Sequence, residues 1–255
     1  MGRSFLSVLS ICLIPAAVLS CARTDTEDTD RLWNKGELLV EEDFSGDLSD
    51  WQFEGDVQAG IDNGRLRFEA TETSEVKKGN IWWKKHFSGP IQIEYDYRSA
   101  TTHGLSMIWW HAHGRDGEDL LSFERSGRYE DYVKGRMNGY HTSYHRFGSG
   151  ACNLRKSYGF HLLATADDPI PAEDLNLHHI VIYNQGNRIR FEVDGRLVHD
   201  FLDVGEPCTE GDSWNHKAPC LGTGPALTEG KIGIRHTQRQ VALYDNFRVY
   251  RLEEP

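Results

Sequence analysis

Ile180-Val-Ile-Tyr-Asn184, a short turn, and then Ile189-Arg-Phe-Glu-Val-Asp-Gly195 set how the rest of the chain is read. The first run is mostly apolar, the second alternates apolar with charged residues, and Asp194-Gly195 closes it with a turn signal, which is the pattern of two short strands. The same period extends in both directions. Glu37 to Glu42, Arg65 to Ala70, Asn80 to Phe87, Ile91 to Arg98, Leu105 to His111, Lys231 to His236 and Val241 to Leu252 alternate or run apolar between turns such as Asp62-Asn63-Gly64. Long helical periodicity is nearly absent; only Glu173 to Leu177, after Pro171, reads as a short helical turn. Many short strands with Gly and Asp turns predict an all-β antiparallel sandwich or barrel.

The chain has 255 residues. Arg3, an apolar run from Phe5 to Leu19 and Ser20-Cys21 describe an export signal too short and Pro-interrupted to span a bilayer well. Val18-Leu19-Ser20-Cys21 resembles a bacterial lipobox, so Cys21 is the expected lipidation site, against the alternative of an ordinary cleaved signal. Lipidation would hold the protein in the cell envelope, periplasmic or on the outer membrane, touching a membrane only through its anchor. The predicted organisation is a signal over 1–21, an acidic tether over 22–35 and one β-sandwich domain over 36–255. Outside the signal and the lipid site, Cys152, Cys208 and Cys220 remain. Cys208 and Cys220 enclose a loop of turn residues and are expected to pair, leaving Cys152 as a structural thiol.

A net charge of −11 argues against a nucleic-acid partner, which needs a basic field. Within this acidic chain the stretch Arg136 to Lys156 is locally basic, which admits an acidic polysaccharide or oligosaccharide. Asn138 to His161 holds three His, three Tyr, two Arg and one Lys in twenty-four residues. If Tyr140 to Arg146 is extended, Tyr140, Thr142, Tyr144 and Arg146 face one way and His141, Ser143 and His145 the other. Neither face is apolar, so this strand must line a groove, pair its polar groups internally or be solvated. In the next strand Phe160 and Leu162 mark the expected core face, with Arg155, Ser157 and His161 opposite.

The endings Ile189 to Gly195 and Tyr244-Asp-Asn-Phe-Arg-Val-Tyr250 resemble those of concanavalin-like jelly rolls. Gly117-Glu118-Asp119-Leu120, Tyr140 to Tyr144, Asn153-Leu-Arg-Lys-Ser-Tyr-Gly-Phe-His161 and Asp168-Pro-Ile-Pro171 together resemble the YesU-like family, a domain long labelled as of unknown function. The resemblance implies a two-sheet sandwich with a curved, carbohydrate-sized groove, often encoded among genes for degrading uronate-containing polysaccharides. It does not imply a settled reaction. The Glu-x-Asp-x-x-Glu string that concanavalin-like glucanases share is absent here. Glu118, Asp119 and Glu124 are the nearest substitute for a hydrolytic carboxylate pair, and a solvated loop explains them as well.

β-Elimination from a uronate needs a cation to neutralise the carboxylate, a His or Tyr to take the proton and an acid for the leaving oxygen. The expected catalytic residues are therefore His141, Tyr144, Arg146, Arg155, Lys156 and His161. Trp83, Trp110, Tyr132, Asn138, Tyr140 and Tyr158 are the expected sugar contacts, because adjacent strand residues face opposite ways and one indole of each Trp82-Trp83 and Trp109-Trp110 pair should point outward. Passive binding and hydrolysis remain as alternatives to elimination. No cofactor is expected; His111 and His113 at i and i+2 lack a third metal ligand, and a structural Ca²⁺ would leave no legible signature.

Overall fold

The computed structural model describes residues 33–71, 78–133, 135–205 and 224–254. The signal, most of the tether, Cys21, Cys208 and Cys220 lie outside them. Among these described residues sixteen strands follow in chain order. They are β1 (Asn34–Glu42), β2 (Trp51–Gly55), β3 (Val57–Asp62), β4 (Arg65–Ala70), β5 (Lys78–Trp83), β6 (Phe87–Ser88), β7 (Ile91–Ser99) and β8 (Leu105–Gly114). After a loop carrying a 3₁₀ turn (Leu120–Ser122) and α1 (Tyr129–Val133) come β9 (Met137–Tyr144), β10 (Ala151–Ser157), β11 (His161–Asp167) and β12 (Leu177–Gln185). The last four are β13 (Arg188–Val193), β14 (Arg196–Leu202), β15 (Glu229–Thr237) and β16 (Val241–Glu253).

One antiparallel sheet runs β14-β13-β12-β7-β16-β4-β3, with β1 also on β16; the other runs β11-β10-β9-β8-β15-β5-β2, with β6 also on β15. The all-β sandwich expected from the strand periods is the fold. Three details differ from the expectation. Glu173 to Leu177 forms a turn leading into β12 rather than a helical turn, and the α-helix among the described residues is α1. β1 begins at Asn34, inside the stretch read as tether. Asn153 to His161 is two strands joined by a turn over 158–160, so alternation does not carry from Arg155 to His161.

The core between the sheets includes Leu66, Phe68, Ile81, Trp83, Ile93, Tyr95, Ile108, Trp110, Tyr140, Tyr144, Ile182, Phe191, Ile234 and Phe247. Its tyrosines stay hydrogen-bonded, as buried hydroxyls must: Tyr95 Oη lies 2.9 Å from Tyr144 Oη, Tyr97 Oη 3.0 Å from Ser106 Oγ, and Tyr244 Oη 2.7 Å from His236 Nε2. That accounts for a β9 strand with no apolar face, since Tyr140, Thr142 and Tyr144 are its core face with their polar tips satisfied internally. A second apolar cluster forms on the outer face of the β9-containing sheet, where Leu120 and Tyr132 from the covering loop pack on Trp82, Trp109, Ala112 and Met137. Gly233 lies opposite both Trp82 and Trp109 in the strand register, and a Cβ there would come within 2.3 Å of the Trp82 ring. This crowding reserves the position for glycine.

Candidate functional site

Strand register assembles a site on the outer face of the second sheet. Arg155 pairs with His141 and His141 with Trp109, giving one row across β10, β9 and β8. The next row on that face runs Asn153, Ser143, Met107 and Arg235 across β10, β9, β8 and β15. These rows floor a cavity of about 270 Å³, walled by Tyr129 and Tyr132 of α1, by Phe160, and by Lys78 and Arg146. Four side chains that carry positive charge, Lys78, Arg146, Arg155 and Arg235, thus line one cavity, and no Asp or Glu is among its described lining residues.

His141 lies at the centre. Its ring packs 4.0 Å from Trp109 and 5.6 Å from Phe160, centroid to centroid, and its Nδ1 is buried without a hydrogen-bond partner. Burial first, then the Arg155 and Arg235 charges, hold the imidazole well below its usual range, so it is neutral near pH 7. Burial also lowers Arg155 to about 10, and burial with Arg235 lowers Lys78. The Arg155 guanidinium donates to Phe160 O at 2.9 Å and lies 4.2 Å from the centroid of that ring. Phe160 has φ +61°, in the left-handed region that costs a bulky residue about 1–3 kcal/mol, and such strain recurs at ligand sites. Arg235 lies 4.2 Å from the Tyr132 ring centroid and donates to Gly127 O at 3.1 Å. The Tyr132 hydroxyl donates to Glu54.

Of the sequence candidates, His141, Arg146, Arg155 and Tyr132 meet at this cavity. Arg146 gets there because β9 ends at Tyr144 and His145, at φ +49°, breaks the alternation. The other candidates do not reach it. Tyr140 and Tyr144 are fully buried in the inter-sheet core, with both hydroxyls held well above their usual range by burial, so neither meets a sugar or serves as a base. Lys156 is on the core face of β10, where Nζ donates to Asp203 at 2.7 Å and to Pro225 O at 2.7 Å. His161 opens β11 beneath the turn, its Nε2 only 2.5 Å from where a Gly159 Cβ would stand. Tyr158 carries the Arg115 guanidinium 3.6 Å from its ring centroid, and Asn138 Oδ1 accepts from Gly139 N at 2.9 Å; both lie outside the cavity.

The tryptophan expectation was correct in alternation and wrong in choice. Trp83 and Trp110 are the core members of their pairs, and Trp110 Nε1 donates to Asn184 Oδ1 at 2.8 Å. Trp82 and Trp109 face outward but are covered by the 3₁₀ turn and α1. Phe160, expected in the core, lines the cavity instead. Glu118 pairs with Arg136, Asp119 with Lys231 at 2.8 Å, and Glu124 is exposed, so none of the three lines the cavity. His111 bonds Leu227 O at 2.9 Å and His113 bonds Gly114 O at 2.6 Å; among the described residues no three His, Cys, Asp or Glu cluster as metal ligands. Cys152 is a free, buried thiol, pushed up to about 12 by burial.

Sequence reasoning missed Lys78, Tyr129, Asn153 and Arg235. Arg235 had a legible signal. In the expected strand Lys231 to His236, Ile232 and Ile234 claim the core face, which leaves the arginine outward on a central strand. Tyr129 had none, because its place depends on how the loop before β9 folds back.

A family profile described as "Domain of unknown function (DUF1961)" matches residues 37–249. The uncharacterized protein YesU of Bacillus subtilis (strain 168) is 29% identical over 215 residues, covering 80% of this chain and 90% of that protein. A solved Bacillus subtilis protein of unknown function with a galectin-like fold is 26% identical, with a TM-score of 0.76 over 88% of this chain and 100% of that one. A Bacillus licheniformis β-glucanase shares the fold alone, with a TM-score of 0.54 at 12% identity over 86% of this chain and 100% of that one. The match over most of the chain establishes its membership, and the protein belongs to the DUF1961 family of jelly-roll proteins.

Proposed function

We propose that this protein binds a uronate-containing oligo- or polysaccharide in the cavity around His141 and acts on it by β-elimination, leaving an unsaturated sugar. The observation that carries the reading is a neutral imidazole set among Lys78, Arg146, Arg155 and Arg235, with no carboxylate among the described lining residues. Hydrolysis of a glycoside needs two carboxylates at the scissile bond, and this lining offers none. The β-glucanase that shares the fold supports a carbohydrate as ligand.

In this mechanism the arginines neutralise the sugar carboxylate, which makes the carbanion character at its α carbon tolerable. His141 takes the α proton, the C–H electron pair becomes the new C=C bond, and the bond from the β carbon to the leaving oxygen breaks with its pair on oxygen. The bound carboxylate also offsets the Arg155 and Arg235 charges that hold the imidazolium down, so His141 becomes more basic when substrate arrives. Export, expected from the N-terminal run, would bring the protein to polymeric glycans.

The test incubates purified protein with pectic, alginate, ulvan and glycosaminoglycan fragments, with and without chelator. Ultraviolet absorbance of the conjugated double bond, with a mass change separating chain cleavage from loss of water, supports elimination. His141→Ala and Arg155→Ala should each lower turnover by about a hundredfold or more. Reducing ends without that absorbance mean hydrolysis, and a mobility shift without product means a binding module.

A further inference from the structure

The leaving oxygen also needs a proton, and the cavity holds few groups that can give one. Arginines do not deprotonate in proteins. Ser143 and Thr237 line the cavity, but an alkyl hydroxyl is too weak an acid to protonate a departing alkoxide. The Tyr132 hydroxyl is committed to Glu54 and the residue is 2% exposed. Tyr129 is the other phenol in the lining, and it is only half-buried, at the start of α1. Its ring meets Phe160 edge-on at 5.1 Å, while His141 stacks on the same Phe160 at 5.6 Å, so the two side chains share one aromatic support at the cavity. The Lys78 ammonium lies 5.8 Å from the Tyr129 ring centroid, and Arg155 also stands over Phe160.

From this geometry we propose that Tyr129 is the general acid of the elimination and the partner of His141. This rests on the elimination reading above. As the bond from the β carbon to oxygen breaks, the Tyr129 hydroxyl passes its proton to the leaving oxygen and becomes a phenolate, stabilised by Lys78 and Arg155. The imidazolium formed at His141 loses its proton to solvent and the phenolate regains one, so the net change is one proton moved from carbon to oxygen. The Lys78 ammonium is the other acidic proton in the lining; set 5.8 Å from the Tyr129 ring centroid, it is assigned to the phenolate rather than to the leaving oxygen.

The experiment compares wild type with Tyr129→Phe on the uronate oligosaccharide that the wild type converts, and on the matching uronide with fluoride replacing the leaving oxygen. Fluoride departs without a proton. Tyr129→Phe should lower kcat on the oxygen substrate by about a hundredfold with KM changed less than about threefold, and should turn over the fluoride substrate within about threefold of wild type. Equal losses on both substrates mean that Tyr129 only positions the site, and full activity on the oxygen substrate means that it takes no part; either result overturns the assignment while elimination stands. A wild type that makes no unsaturated product overturns both. A far-ultraviolet circular dichroism match between variant and wild type confirms that the comparison is between folded proteins.

Discussion

Replacing Glu54 by Ala should be among the most destabilising single changes outside the inter-sheet core. Glu54 lies on β2 at the edge of the second sheet and is 7% exposed. Its Oε1 accepts from Asn80 Nδ2 at 2.8 Å and from the Tyr132 hydroxyl, and its Oε2 accepts from Trp82 Nε1 at 2.8 Å and Arg125 Nε at 2.7 Å. The Arg125 side chain is 5% exposed, so removing the carboxylate strands a buried guanidinium and three further donors. Breaking a buried pair on one side costs about 3–5 kcal/mol. For a domain of this size, each kcal/mol moves Tm by about 2–4 °C, so a fall of about 10 °C is expected. Thermal and urea unfolding of Glu54→Ala, Arg125→Met and the double variant give the cycle. The double variant should cost less than the sum of the singles by more than about 1 kcal/mol, because it leaves no stranded charge. The ring of Tyr132 supports Arg235 and lies 5.3 Å from Trp109, so loss of Glu54 should also weaken the uronate binding proposed for the cavity. A Tm fall under about 3 °C, or single costs that simply add, would refute the view of Glu54 as the hub that fixes this wall.

Tyr144→Phe should leave the proposed elimination within about twofold while costing about 1 kcal/mol in urea unfolding, since the buried hydroxyl bonded to Tyr95 is lost; a hundredfold loss of turnover would restore Tyr144 to the site. Stability should be full above about pH 6.5 and fall as acid is added, because buried His111 and His236 are held at about 4 and about 3 by desolvation, below the value near 6.5 of a free imidazole. The unfolded chain then binds more protons in that window, and each histidine contributes a slope of up to about 1.4 kcal/mol per pH unit. A urea midpoint flat from pH 7 to 4 would contradict this. Cys21→Ala should release the exported protein from the membrane fraction, and a wild type already soluble after export would remove the anchor.

The sequence by itself determined the class of fold, because strand period and turn chemistry are local: Ile189 to Asp194 needs only its own alternation to read as a half-buried strand, and β13 lies there. It also drew attention to β9 and β10, since a run polar on both faces must satisfy its polar groups somewhere, and these two strands help to floor the cavity. Which face did what was decided by tertiary structure. Tyr140 looks like a sugar contact and Tyr144 like a catalytic residue until Asp203, Tyr95 and the opposite sheet supply partners for their hydroxyls, at which point burial favours them. Trp83 and Trp110 read as the outward indoles, but sheet packing turns them into the core and leaves Trp82 and Trp109 outward beneath the loop before β9. The cationic lining joins Arg146 and Arg155, neighbours in one stretch of chain, to the distant Lys78 and Arg235 through a register in which β15 slots between β8 and β5. No local pattern encodes that adjacency, because the pairing of distant strands is fixed by the packing of both sheets at once.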